Sequence, residues 1–132
     1  MSTVLDTHTV LWYLENSQEL SSLARATIED AIRSARDVYV SAISLVETVY
    51  LAERGRVPLT ALQRLRSALQ DPKSGLLVVP VDAAVANTLP KIPRDVVPDM
   101  PDRIIAATAL HLGVPLVTRD NRLQSAGINT LW

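Results

Sequence analysis

The chain contains no cysteine and no phenylalanine, and it has only five aromatic residues among 132. Without cysteine it can form neither disulfide bonds nor thiolate metal sites, although this absence does not distinguish a reducing from an oxidising compartment. So few aromatic side chains argue against a base-stacking platform of the kind that binds single-stranded nucleic acid.

An excess of one charge and long apolar runs are also missing. Thirteen basic residues face fourteen acidic ones, for a net charge of −1, so the chain lacks the overall basic field of a dedicated nucleic-acid-binding protein. No apolar run approaches the ~20 residues of a membrane helix, and no basic segment precedes the first apolar residues. We therefore expect a soluble, cytoplasmic protein with no membrane partner, in which any nucleic-acid contact is local.

The residues that are present favour a single domain over residues 1–132, with 48% hydrophobic content and enough length to bury a core. Short apolar runs predict strands, and longer amphipathic or apolar segments predict helices. The predicted strands are 3–5, 38–40, 76–79, 116–118 and 128–131. The predicted helices are 7–14, one opening at Ser21 or Ser22, 41–54, 58–69, one after Asp82, 101–112 and a turn at 121–126. The segment 90–101, with four prolines, is expected to be a surface loop.

Alternating strands and helices indicate an α/β fold of three layers, α/β/α, around a mainly parallel sheet. In such sheets ligands bind beyond the carboxyl ends of the strands. Asp6 follows the first strand, the helix opened by Ser41 follows the second, and Asp120 follows the fourth. We therefore expect acidic side chains from these segments and from the start of helix 101–112 to share a pocket.

Each acid also has a purely structural interpretation. Asp6 and Asp120 can cap the helices that follow them, Asp102 can form a capping box with Asp99, and Glu47 can lie on a solvated helix face. If the four converge, however, their charges repel unless a cation or protons intervene. Oxygen ligands without cysteine favour Mg²⁺ or Mn²⁺ over Zn²⁺.

The acids stand in segments that resemble those of the PIN-domain family, and more narrowly of the VapC toxins of bacterial and archaeal toxin–antitoxin systems. The similarity extends over nearly the whole chain. It rests on Asp6 with Thr7, on 40–47 (VSAISLVE), on 102–107 (DRIIAA) and on 116–120 (LVTRD).

The resemblance implies a three-layer PIN-like fold and a metal-dependent endoribonuclease that hydrolyses RNA with water activated by Mg²⁺ or Mn²⁺. It assigns catalysis and metal binding to Asp6, Glu47, Asp102 and, as a fourth acid, Asp120. Auxiliary roles fall to Thr7 and Thr118. Asp99 lies where related toxins often have an aspartate, but Met100 and Pro101 depart from their pattern, so its role stays open.

The resemblance also implies partners. The family pairs with an antitoxin of the VapB type, whose C-terminal segment covers the acids, and commonly forms homodimers. Near the acids, Arg103, Arg119 and Arg122 are candidates for contacts with the RNA backbone, or are ordinary solvated charges.

The main alternative is a catalytically degenerate PIN fold that acts as a binding or interaction module. Other α/β classes fit less well. A receiver domain needs an acidic pair near residue 6 and a late lysine, and no lysine follows Lys91. A haloacid-dehalogenase-type phosphatase needs an aspartate where His8 stands, and a dinucleotide-binding fold needs a glycine-rich first turn.

Overall fold

A computed structural model describes residues 1–132 as a five-stranded parallel sheet surrounded by seven α-helices. The strands are β1 (Thr3–Leu5), β2 (Val38–Ser41), β3 (Leu76–Val79), β4 (Leu116–Val117) and β5 (Thr130–Leu131). The helices are α1 (Thr7–Leu14), α2 (Ser22–Arg33), α3 (Ala42–Glu53), α4 (Leu59–Gln70), α5 (Ala83–Thr88), α6 (Met100–Leu112) and α7 (Asn121–Gln124). The predicted α/β class with a parallel sheet is confirmed. None of the helices could span a membrane.

The strand order, β3-β2-β1-β4-β5, creates a switch point beside the central strand. The chain leaves β1 to one side, adding β2 and β3, and then crosses to the other side to add β4 and β5. At such a reversal the connections after the two neighbouring strands diverge and leave a crevice at their carboxyl ends. Leu5 pairs with Val117 at the ends of β1 and β4, so Asp6 and Thr118 leave the sheet side by side at this crevice.

Alternation along the strands divides the core into two layers, because neighbouring side chains point to opposite faces of a sheet. Leu5 and Val117 pack with α1, α2 and α4 in one apolar cluster. Val4 and Leu116 pack with α5 and α6 in the other. Helices therefore cover both faces of the sheet, which confirms the predicted three layers.

Helix α6 is fixed at both ends and along its length. Asp99 caps its N-terminus, and Gly113 ends it in the left-handed conformation with φ of 68°, which a residue without a Cβ adopts at little cost. Every side chain from Ile104 to Ala109 is buried. Burial on all faces leaves the helix little freedom to shift, so the carboxylates of its first turn are held at the sheet edge.

Several predicted boundaries differ from the structure by one or two residues, and one segment needs correction. Thr118 lies just beyond β4, β2 extends to Ser41, which caps α3 as predicted, and the last helix and strand are shorter than predicted. Segment 90–101 is not simply a surface loop: a 3-10 turn spans Leu89–Lys91, and Ile92 and Val97 are buried in the second cluster. These two apolar side chains anchor the segment between its prolines and lead it to Asp99.

Candidate active site

A cavity of about 520 Å³ opens at the carboxyl ends of β1 and β4. Five carboxylates reach it from four parts of the chain: the end of β1, helix α3, the start of α6 and the turn after β4. Its lining residues are Asp6, Thr7, His8, Trp12, Glu47, Asp99, Asp102, Arg119 and Asp120. The structure thus brings the four predicted acids to one cavity, while their chemical roles stay a prediction.

Glu47, Asp99 and Asp102 form the tightest group in the cavity, which we call the acidic trio. Each offers a carboxylate oxygen, and the three oxygens lie within 4.8 Å of one another. The protein has two ion pairs, Arg33 with Asp30 and Arg119 with Glu19, and neither involves the trio. The negative charge of the trio is therefore not neutralised by a basic side chain.

Burial, with a smaller contribution from neighbouring charges, raises the pKa of two members of the trio. Burial raises the pKa of Asp102 to about 7, and the charges of Asp99 and Glu47 add to the shift. Burial also raises the pKa of Glu47, while a hydrogen bond from Thr7 acts in the opposite direction. Both pKa values are raised because the surroundings of these two carboxylates disfavour the ionised form.

Asp6 and Asp120 are held differently, because each caps a helix with one carboxylate oxygen. Asp6 Oδ1 accepts the backbone N–H of Thr9 at 2.9 Å, and Oδ2 accepts the hydroxyl of Thr118. Asp120 Oδ1 accepts the N–H of Arg122 at 2.8 Å. Each of these two carboxylates therefore caps a helix and also lines the cavity.

Hydroxyl groups connect the acids to the frame. Thr7, 3% exposed, donates to Glu47 Oε1 at 2.5 Å and lies 2.9 Å from the hydroxyl of buried Ser44. Thr118 links two acids, since it donates to Asp6 and accepts the N–H of Asp120 at 3.0 Å. The two threonines predicted as auxiliary residues thus orient carboxylates.

The three candidate arginines occupy different places. Arg119 lines the cavity, and Arg122 lines an adjoining cavity of about 550 Å³ that shares Asp99, Asp102, Arg119 and Asp120. Arg103 lines neither, because its Nε donates to the carbonyl of Ile92 at 3.0 Å. Arg103 therefore anchors the segment before α6 and is not brought to the acids.

The donor set fits a hard divalent cation. The acidic trio offers carboxylate oxygens from two elements that are fixed by packing, and none of the three is in an ion pair. Mg²⁺, Mn²⁺ and Ca²⁺ prefer oxygen ligands of this kind, and a bound cation would stabilise the ionised form of Asp102, which burial and the neighbouring charges disfavour.

Sequence reasoning did not assign Asp99 or Trp12 to the site. The spacing from Asp99 to Asp102 suggested a capping box, and Asp99 does accept the N–H of Asp102 at 3.2 Å. The same cap turns its carboxylate toward Glu47. Trp12 is partly buried against the core and also lines the cavity. Helical periodicity from Thr7 could have indicated this, because positions 8 and 12 share a face.

Comparisons with known proteins agree with this arrangement. A family model described as the PIN domain matches residues 3–129. Ribonuclease VapC22 of Mycobacterium tuberculosis is 37% identical over 126 residues, covering 95% of this chain and 92% of the relative. The structure of VapBC2 from Rickettsia felis, bound to a DNA fragment from their promoter, covers 99% of this chain and 98% of its own, with a TM-score of 0.73 and 14% identity. A toxin–antitoxin complex from Klebsiella pneumoniae covers 98% and 96%, with a TM-score of 0.68 and 20% identity. At these low identities the two structures show a shared fold.

Proposed function

Because this chain belongs to the PIN-domain family and, within it, to the VapC proteins, we propose that it is a metal-dependent endoribonuclease and the toxin of a toxin–antitoxin pair. The observation that carries the proposal is the acidic trio of Glu47, Asp99 and Asp102, whose oxygens lie within 4.8 Å of one another without a neutralising base. A degenerate binding module has no need to maintain such repulsion.

In the proposed site the trio would hold Mg²⁺ or Mn²⁺, with Asp6 and Asp120 completing the ring of acids around the cavity. A bound ion of this kind lowers the pKa of water and stabilises charge on the attacking and leaving oxygens of an in-line displacement at phosphorus. This chemistry corresponds to hydrolysis of an RNA phosphodiester bond.

The side chains of the protein contribute orientation. Thr7 holds one oxygen of Glu47, which leaves Oε2 for the cavity. Thr118 fixes Asp6 and the backbone of Asp120 in a single arrangement. Because these donors belong to buried residues, the carboxylates are positioned before any ligand arrives, and little reorganisation is needed on binding.

We further propose an antitoxin of the VapB type as the protein partner. One relative in the comparisons is a VapC protein and the two structures are a VapBC assembly and a toxin–antitoxin complex. A partner that covers the cavity would have to neutralise its acids, so a basic side chain near the acids is expected in its inhibitory segment. Homodimer formation stays a prediction.

The proposal is tested by incubating the purified protein with total RNA in Mg²⁺, in Mn²⁺ or in EDTA, and following fragment sizes. We expect cleavage in either metal and none in EDTA. Asp6→Ala and Asp102→Ala should lower the rate on the order of a hundredfold or more, since even loss of groups that only support metal ligands costs 10- to 100-fold.

The matched control is Glu53→Gln, an exposed acid at the far end of the same helix as Glu47. Its rate should equal that of the wild type. Cleavage that persists in EDTA, or in both aspartate variants, would contradict the metal mechanism. Folded protein that cleaves no RNA in either metal would favour the binding module instead.

A further inference from the structure

Aromatic side chains are scarce in this chain, yet several ring systems meet at one wall of the cavity. Trp12 is the one hydrophobic residue of the lining. Its ring lies 5.6 Å from that of His8 and 5.9 Å from that of Trp132, centroid to centroid. Both neighbours are tilted against it, by 46° and 59°, so they support the indole from its sides. Trp12 is therefore packed between two other rings while it lines the cavity.

Arg119 lies on this wall in a fixed orientation. Its guanidinium carbon is 4.4 Å from the centroid of Trp12, and its Nη1 donates to Glu19 at 2.6 Å. The side chain nevertheless remains 52% exposed. The indole and the carboxylate of Glu19 together hold the guanidinium over the Trp12 ring, and Arg119 lines both cavities.

The contacts of Arg119 distinguish it from an arginine that binds phosphate. A phosphate contact uses the N–H edge in a bidentate fork, and part of that edge is already bonded to Glu19. What Arg119 offers is a planar face backed by an indole, and RNA bases stack on aromatic rings and on guanidinium planes. The cavity volume, about 520 Å³, lies within the usual range for small-molecule sites of about 300 to 1,000 Å³.

We propose that Trp12 and Arg119 form a stacking platform for one base of single-stranded RNA, next to the phosphate that lies at the acids. The proposal rests on the ribonuclease function proposed above. It also revises the expectation drawn from composition, because a single stacked base needs only one tryptophan in the right place. Glu19 acts as a positioning residue that holds the guanidinium in the plane of the platform.

The first test separates stacking from charge by steady-state cleavage of a short single-stranded RNA. Arg119→Lys keeps the charge and removes the plane, and Trp12→Leu removes the support. Each should raise KM about tenfold, as expected for loss of one base stack, with kcat within twofold and the salt dependence unchanged. The matched control is Arg33→Lys, an exposed arginine that is also ion-paired, with Asp30, but lines neither cavity, and its KM should stay within twofold. Wild-type behaviour of Arg119→Lys, or effects equal to those of the control, would overturn the platform.

The second test does not depend on cleavage. Trp132→Phe leaves Trp12 as the single tryptophan, so its fluorescence reports on this wall. The probe is an RNA trinucleotide with methylphosphonate linkages, which resist hydrolysis and carry no charge to be repelled by the acids. We expect the trinucleotide to quench the fluorescence of Trp12 in a saturable way. Its half-saturation concentration should be at least fivefold lower than that of a control trinucleotide whose central residue lacks a base. Equal quenching by both, or none, would count against the platform. Base-dependent quenching without RNA cleavage would instead refute the proposed function alone.

Discussion

The two sets of acids in the cavity are held in different ways. Asp6 and Asp120 cap α1 and α7, and Thr118 links them through hydrogen bonds. Glu47, Asp99 and Asp102 crowd together without an ion-pair partner, and burial, with a contribution from the neighbouring charges, raises the pKa of Asp102 to about 7. Asp99 also caps α6, so the division of labour is sharpest between the other acids: Asp6 and Asp120 support the structure as well as the site, whereas Glu47 and Asp102 lower stability until a cation binds.

Metal addition should produce the largest effect that separates the two sets. A ligand that binds only the folded state at a hundred times its Kd stabilises by about 2.7 kcal/mol, which for a domain of this size raises Tm by roughly 5–10 °C. We expect such a rise for wild-type protein on adding Mg²⁺ or Mn²⁺ after EDTA treatment, measured by thermal melts. Asp102→Asn should lose most of it. An equal rise in both proteins would place the ion elsewhere.

Asp6→Ala should destabilise the metal-free protein. The change removes the cap of α1 and leaves the hydroxyl of Thr118, which is buried, without its acceptor. Loss of an N-cap costs about 1 kcal/mol and an unsatisfied buried group a further ~1 kcal/mol, so we expect roughly 2 kcal/mol less stability by urea denaturation in EDTA. Asp6→Asn keeps a capping oxygen and should lose less than half as much. If both variants lose the same amount, the capping role of Asp6 is wrong.

Asp102→Asn should instead stabilise the metal-free protein, and only at higher pH. A carboxyl whose pKa is raised in the folded state binds its proton more tightly there, so its contribution to stability is present at pH 4 and is lost as pH rises through about 7. Allowing for solvent screening of this half-buried group, we expect a gain of roughly 1–2 kcal/mol at pH 8 and none at pH 4.

The measurement is a set of urea titrations in EDTA at pH 4, 6 and 8. The control is Asp95→Asn, an exposed aspartate that does not line the cavity, for which no pH-dependent gain is expected. A stability difference between Asp102→Asn and wild type that stays constant across these pH values would contradict the raised pKa of Asp102.

Sequence reasoning reached the two sets unequally, for a physical reason. Asp6 and Asp120 follow apolar runs that form parallel strands. Because the carboxyl ends of parallel strands meet at one edge of the sheet, the local pattern predicted that these two acids lie close together. The position of Asp102 followed from the predicted start of helix 101–112. Glu47 and Asp99 depended on how α3 and the segment before α6 pack over that edge, which no local spacing encodes. The same holds for Trp12, whose periodicity fits a core position as well as a cavity wall.

The smallest effect we expect concerns the hydrogen bond from Thr7 to Glu47, which links one member of the trio to helix α1. Thr7→Val preserves the shape of a buried side chain but removes the hydroxyl that donates to Glu47. Without this donor, Glu47 is free to rotate, and its pKa, already raised by burial, rises further. Both changes make Glu47 a poorer metal ligand, because it is less often ionised and less well oriented. The affinity for Mg²⁺, measured by calorimetry at pH 7.5, should therefore fall about tenfold.

The control, Thr7→Ser, keeps the hydroxyl and should retain most of the affinity. If the serine variant binds as weakly as the valine variant, packing by the methyl group rather than the hydrogen bond positions Glu47, and the trio depends on the fold through shape alone.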